Sequence, residues 1–132
     1  MARGARQAIS SLGCECSPYG HWIGAQRYDG AFYISGYAVE LTLKARICKT
    51  LQWNGFPDSN KEFERFSSFR VHDLAVLLKL TGRERMVMTQ HAAEWSIVAD
   101  WKPQARYVRI GEVGGRRAKS MLEAVEILVK EL

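Results

Sequence analysis

Between residues 102 and 119 the chain carries six cations, Lys102, Arg106, Arg109, Arg116, Arg117 and Lys119, against one acid, Glu112. Their excess equals the formal net charge of the whole chain, +5, so the remaining residues balance to neutrality. Such a cluster is the electrostatic footprint expected for a phosphate-bearing partner. The plainer reading is a solvated cationic surface, or one that meets an acidic protein. Within the cluster, Gly111-Glu-Val-Gly-Gly-Arg-Arg-Ala-Lys-Ser120 sets glycines before a helix start and three cations on its first turn. Backbone N–H groups at a helix start can hold a phosphate. The segment lacks the Gly-Lys-Ser/Thr ending of a P-loop. Its cations also oppose the helix's own positive end unless an anion binds there.

A second constellation lies earlier. Glu40 and Lys44 stand at i and i+4 with the acid first, the favourable order for a helical ion pair. Charges in so apolar a helix persist only when paired. A structural network is therefore expected, linking them to His72 or Arg106. The full polar set is Glu40, Lys44, His72, Asp73, Arg106 and Tyr107, with ligand binding as the alternative role. Three cysteines complete the reactive inventory. Cys14 and Cys16 flank a single residue, too tight for a structural zinc site even with His21 and Cys48 nearby. An odd count without an even framework also argues against a secreted disulfide scaffold. No metal and no cofactor are expected.

The elements that must position these groups are helical. Phe32, Gly36, Val39, Leu43, Ile47 and Leu51 recur at helical steps, giving one apolar face of a long helix from Arg27 to near Trp53. Asn54, Gly55 and Pro57 stop it. Gly36 inside that helix costs about 1 kcal/mol relative to Ala, and its expected use is close approach of a neighbouring helix. Residues 54–70 read as a connection tied to the core by Phe56, Phe63, Phe66 and Phe69. Val71–Leu80 reads as a short helix with Leu74, Leu77 and Leu78 on one face and Asp73 at its positive end. A single helix is expected from Glu84 to Trp101, with Met88, Ala92, Trp95 and Val98 facing inward and Pro103 ending it. The last helix, Arg116–Glu131, has the cleanest stripe: Ala118, Met121, Leu122, Val125, Leu128 and Leu132. Only Tyr107–Ile110 alternates in a way that suggests a strand.

The expected fold is thus all-α, an up-and-down bundle of four to five helices over residues 27–132. Residues 1–26 stay poorly determined, with one candidate short helix at Ala5–Leu12. At 132 residues one domain is the natural expectation. No apolar run approaches a membrane span, and the arginines near the start precede no apolar block, so the cytoplasm is the expected compartment.

Several of these stretches together resemble the HEPN superfamily. Arg27-Tyr-Asp-Gly-Ala-Phe-Tyr-Ile-Ser-Gly-Tyr-Ala-Val-Glu-Leu-Thr-Leu-Lys-Ala-Arg46 is similar to the long helix of bacterial members, with Gly-Tyr-Ala-x-Glu-x-x-Leu-Lys-Ala its most recognisable part. His72-Asp-Leu-Ala-Val-Leu-Leu78 resembles their His-Asp-Leu-x-x-Leu-Leu element, and Trp101 followed by Arg106-Tyr107 resembles their Trp…Arg-Tyr element. The resemblance covers residues 27–131, with the motifs in order.

It implies a helical bundle, frequently a homodimer, often encoded beside a nucleotidyltransferase in toxin–antitoxin or defence loci. Many members are metal-independent ribonucleases using an Arg-x4-6-His motif, commonly with a polar residue after the Arg, assembled across the dimer. Others lack the motif and serve as binding or partner modules, so fold alone does not decide activity. Two pairs here satisfy the spacing, Arg65 with His72 and Arg85 with His91. His would transfer the proton and Arg would stabilise the charge developing on the phosphate, with the RNA 2′-hydroxyl as nucleophile. Met86 follows Arg85 where active relatives have a polar residue. On one uninterrupted helix, Arg85 and His91 would also point apart. The leading expectation is a non-catalytic or weakly catalytic module that binds RNA or a nucleotide. The rivals are a ribonuclease toxin and a protein-interaction domain.

Overall fold

The computed structural model describes residues 27–57, 59, 61, 64 and 71–132. The candidate helix at residues 5–12, Cys14, Cys16, His21, Phe63, Arg65, Phe66 and Phe69 lie outside the described residues.

Helix α1, Tyr28–Leu51, buries the expected face: Phe32, Gly36, Val39, Leu43 and Ile47 are all inside, while Leu51 is exposed. It ends where Gln52 turns left-handed at φ 56°, which lets the N–H of Trp53 close on Cys48 O at 2.8 Å. Phe56, just beyond, packs against the core as anticipated.

Helix α2, Leu74–Leu80, turns Leu74, Leu77 and Leu78 inward. Thr50 Oγ1 near the end of α1 donates to Thr81 O at 3.0 Å, joining the last turns of the two helices. Gly82, at φ 71°, then makes the turn that glycine alone adopts at no steric cost.

The single helix expected over 84–101 is two helices. Helix α3, Glu84–Gln90, and helix α4, Ala92–Val98, meet at His91, whose backbone leaves helical geometry at φ −133°, ψ 32°. The hydrogen bonds His91 N–H to Val87 O and Trp95 N–H to His91 O still bridge the junction, so it is a kink rather than a loop. The buried residues are Val87, Trp95 and Val98, whereas Met88 and Ala92 face outward.

A short 3-10 turn, Pro103–Tyr107, follows and rests on α1. Tyr107–Ile110 forms no strand, and no strand occurs among the described residues. Helix α5, Gly115–Glu131, buries Ala118, Met121, Ala124, Val125, Leu128 and Val129.

The core forms chiefly where α5 lies along α1. Helix α4 packs on α5, and α2 on α1. Leu43, Ile47, Met121 and Leu128 are fully enclosed there, each contributing about 1.5–3 kcal/mol by leaving water. The chain is thus all-α with five α-helices among the described residues. None of these is long and apolar enough to cross a membrane.

Gly36 permits a close approach, but of a side chain rather than a helix. A Cβ there would sit 2.2 Å from Trp101 Cδ1 and 2.3 Å from Trp101 Nε1. The indole lies directly on the backbone of α1, fixing the segment between α4 and the 3-10 turn.

Candidate functional site

All six cations of residues 102–119 are exposed, and so is Glu112. Arg117 folds back so that its guanidinium lies 4.8 Å from the centre of the Phe32 ring on α1. That cation–π contact offsets part of the repulsion from the positive start of α5. Lys119 stands 4.0 Å from Glu123, a loose pair between two exposed side chains. Lys102, Arg109 and Arg116 form no ion pair among the described residues.

The glycine-rich loop before α5 already holds an anion of the protein's own. The N–H groups of Gly111 and Val113 donate to the two carboxylate oxygens of Asp29, at 2.7 and 2.9 Å. These bonds hold the Asp29 carboxyl below its ordinary range, the Gly111 bond acting most strongly. Asp29 sits in the first turn of α1, so its clamp ties the start of α1 to the entrance of α5. Gly115 serves the same junction: a Cβ there would meet Tyr28 Cζ at 2.9 Å. Two of the N–H groups that might have cradled a phosphate are therefore occupied. The first turn of α5 itself carries no side-chain cap. Nothing in the sequence pointed to Asp29, because its partners lie more than eighty positions away.

The Glu40 network forms as expected in part. Glu40 is only 1% exposed, and its Oε1 accepts from Lys44 Nζ at 2.6 Å and meets His72 Nδ1 at 2.7 Å. Lys44 also lies 5.3 Å from the Phe56 ring centre. Glu40 Oε2 is buried without a hydrogen-bond partner among the described residues. His72 itself is exposed, so the network runs from the core to the surface at the entrance of α2.

Three members of the predicted polar set stand elsewhere. Asp73 caps α2, its Oδ1 accepting from the N–H groups of Ala75 and Val76 at 2.9 and 3.1 Å. Arg106 turns to its neighbour, donating to the Tyr107 hydroxyl at 2.5 Å. The reason is reach: both sit on the exposed 3-10 turn, where an adjacent phenol is the nearest acceptor.

The two Arg–His pairs fare differently. Arg65 lies outside the described residues, and His72 commits a ring nitrogen to Glu40. Arg85 is exposed on α3 and no hydrogen bond joins it to His91 at the kink. The ring nitrogens of His91 instead face carboxylates, 4.0 Å from Glu94 and 4.0 Å from Glu131. Two acids beside the imidazole would repel a scissile phosphate rather than draw it in. Cys48 offers no nucleophile, since burial pushes its thiol up, away from the thiolate form.

No cluster of three or more potential metal ligands occurs among the described residues. Compared with known protein families, with curated proteins and with solved structures, the chain matches none.

Proposed function

We propose that this chain is a HEPN-like helical module that binds RNA or a nucleotide through the basic edge at residues 102–119 and has little or no cleaving activity of its own. The observation that carries the reading is that edge: six exposed cations with a single exposed acid, only Lys119 of the six having an ion-pair partner among the described residues. A surface evolved only for solubility would intersperse the two signs. The weak-activity half of the reading is supported by the acids flanking His91 and by the engagement of His72 with Glu40. The family part rests on the residues that resemble the HEPN motifs, and with it come the homodimer and a nucleotidyltransferase or antitoxin partner.

The test is fluorescence anisotropy of a short labelled RNA titrated with the full chain at several salt concentrations. Affinity should fall steeply with salt, because each cation that neutralises a phosphate releases a counterion. The variant Arg116→Glu/Arg117→Glu should bind more weakly and with a shallower salt slope while melting like the wild type. Binding indifferent to salt and to these substitutions would overturn the reading. Binding of an acidic protein in place of RNA would support the protein-interaction alternative.

A further inference from the structure

The basic edge adjoins a group of aromatic rings for which core packing gives only half an explanation. Tyr33 and Tyr37, one turn apart on α1, hold their rings nearly parallel, with 10° between planes and 6.2 Å between centroids. Tyr33 packs in turn against Trp101, at 5.9 Å between centroids. Trp101 is buried, wedged on Gly36, so it forms a rigid floor under the row. Tyr37 at the outer end is 41% exposed.

The 3-10 turn rests on α1 and brings a fourth side chain and a fifth to the same place. The Arg106 guanidinium lies 4.6 Å from the centre of the Tyr107 ring and donates to its hydroxyl. Tyr107 bears most strongly on that guanidinium, and Tyr33 lies near enough to bear on it more weakly. Tyr107 itself is 73% exposed.

These rings are braced before any partner arrives. A tyrosine has few rotatable bonds, and here its neighbours fix it further, so little conformational freedom remains to be lost on binding. What the row offers is the outer faces of Tyr37 and Tyr107 and a planar cation, with further exposed cations following in the chain. Charges alone attract phosphates of any nucleic acid. Flat faces add something only when bases are unstacked and free to lie on them. An acidic peptide would meet the cations but leave the ring faces idle.

We infer that Tyr37, braced from beneath by Tyr33, and Tyr107, braced by Arg106, form a stacking platform for the unpaired bases of single-stranded RNA, while Arg109 and the cations that follow it hold the phosphates. The inference rests on the phosphate-binding reading above and narrows it to one kind of RNA.

The experiment uses the full chain with two labelled probes, an oligouridine and an RNA duplex of equal length, each titrated by anisotropy at low and high salt. Tyr37→Leu and Tyr107→Leu remove a flat ring but no charge. Each should weaken oligouridine binding roughly tenfold, the scale of one base–aromatic stack. Neither should change the salt slope or the affinity for the duplex. Tyr37→Phe keeps the ring and should bind like the wild type. Melting curves accompany every variant; Tyr107 sits on an exposed turn, so Tyr107→Leu carries the test should Tyr37→Leu fail to fold. Salt-dependent oligouridine binding that both Leu variants retain in full would overturn the platform and leave the phosphate reading standing. Equal losses for oligouridine and duplex would also overturn it. Absence of salt-dependent binding to either probe would overturn both.

Discussion

Asp29 shows how much one carboxylate does in this molecule. Its two oxygens satisfy two backbone donors of the loop that leads into α5, a task that water would otherwise perform on a floppier loop. The carboxyl is held below its ordinary value of 3.8, so the folded state favours its ionised form more than the unfolded chain does. The sign follows: this stabilisation is fully present above that value and is lost as acid protonates the folded carboxyl. The variant Asp29→Asn keeps the size of the side chain but cannot offer two anionic oxygens. It should melt lower than the wild type at neutral pH, and the gap between the two should narrow on acidification below about pH 4, near the aspartate range. Melting temperature followed against pH for both proteins checks this. A gap that stays constant through the acid range would assign the clamp no role in the linkage. Glu40, by contrast, was readable in advance, because an acid and a lysine one turn apart on an apolar helix have few ways to avoid pairing. Asp29 was not, since an acid in the first turn of a helix is common and its sequence neighbours say nothing about a distant loop.

At the scale of elements, the close contact between Gly36 and Trp101 joins the segment after α4 to α1. Helix propensity alone says that Gly36→Ala should stabilise α1 by about 1 kcal/mol. The structure reverses the sign, because the new methyl would fall within the indole, at 2.2 Å from a rigid ring atom. Displacing the ring should make the variant less stable by about 1–3 kcal/mol, the usual cost of overpacking. Pairing Gly36→Ala with Trp101→Leu should recover part of that loss relative to Trp101→Leu alone, and chemical denaturation of the four proteins measures the coupling. That glycine marks a close approach was legible; that its occupant is an indole from sixty-five positions onward was not. The kink at His91 escaped for a different reason. The true inward stripe is Val87, His91, Trp95 and Val98, at ordinary helical spacing but with a polar residue in its second place. A search for apolar residues passes over His91 and settles on Met88 and Ala92, which are exposed. The stripes of α1 and α5 hold no such substitution at their centres, and the expected faces depart from the buried ones at Leu51, which is exposed, at Leu122, which is half-buried, and at Ala124 and Val129, which were passed over and are buried.

For the whole molecule, the charge distribution and the chemistry at the histidines point the same way. Arg116, Arg117 and Lys119 lie at the start of α5, while the better candidate for proton transfer, His91, stands beside Glu94 and beside Glu131 at the far end of that helix. A ribonuclease would need its phosphate-binding and proton-transferring groups within one cleft. The purified protein should therefore leave a labelled RNA intact in the presence of chelator. Metal-free cleavage that disappears in both His91→Ala and Arg85→Ala, with melting curves unchanged, would establish the nuclease instead. His72→Ala makes a poor control, because it also cuts the link from α2 to Glu40.

The pairing of α1 with α5, and the Asp29 clamp that fastens their starts together, has a consequence for synthesis. While the ribosome is still translating the middle of the chain, Leu43, Ile47 and the rest of the buried face of α1 lack α5, their chief partner among the described elements. Helix α2 can shield only part of that face, and α4 itself rests chiefly on α5. The nascent chain thus reaches its native core only after α5 has cleared the exit tunnel. Until then it exposes a long apolar stripe of the kind that chaperones hold. The loop bearing Arg109 takes its clamped form only after it has itself emerged, because its anchor Asp29 is translated first, so until then the chain stands beside abundant RNA without the surface described above.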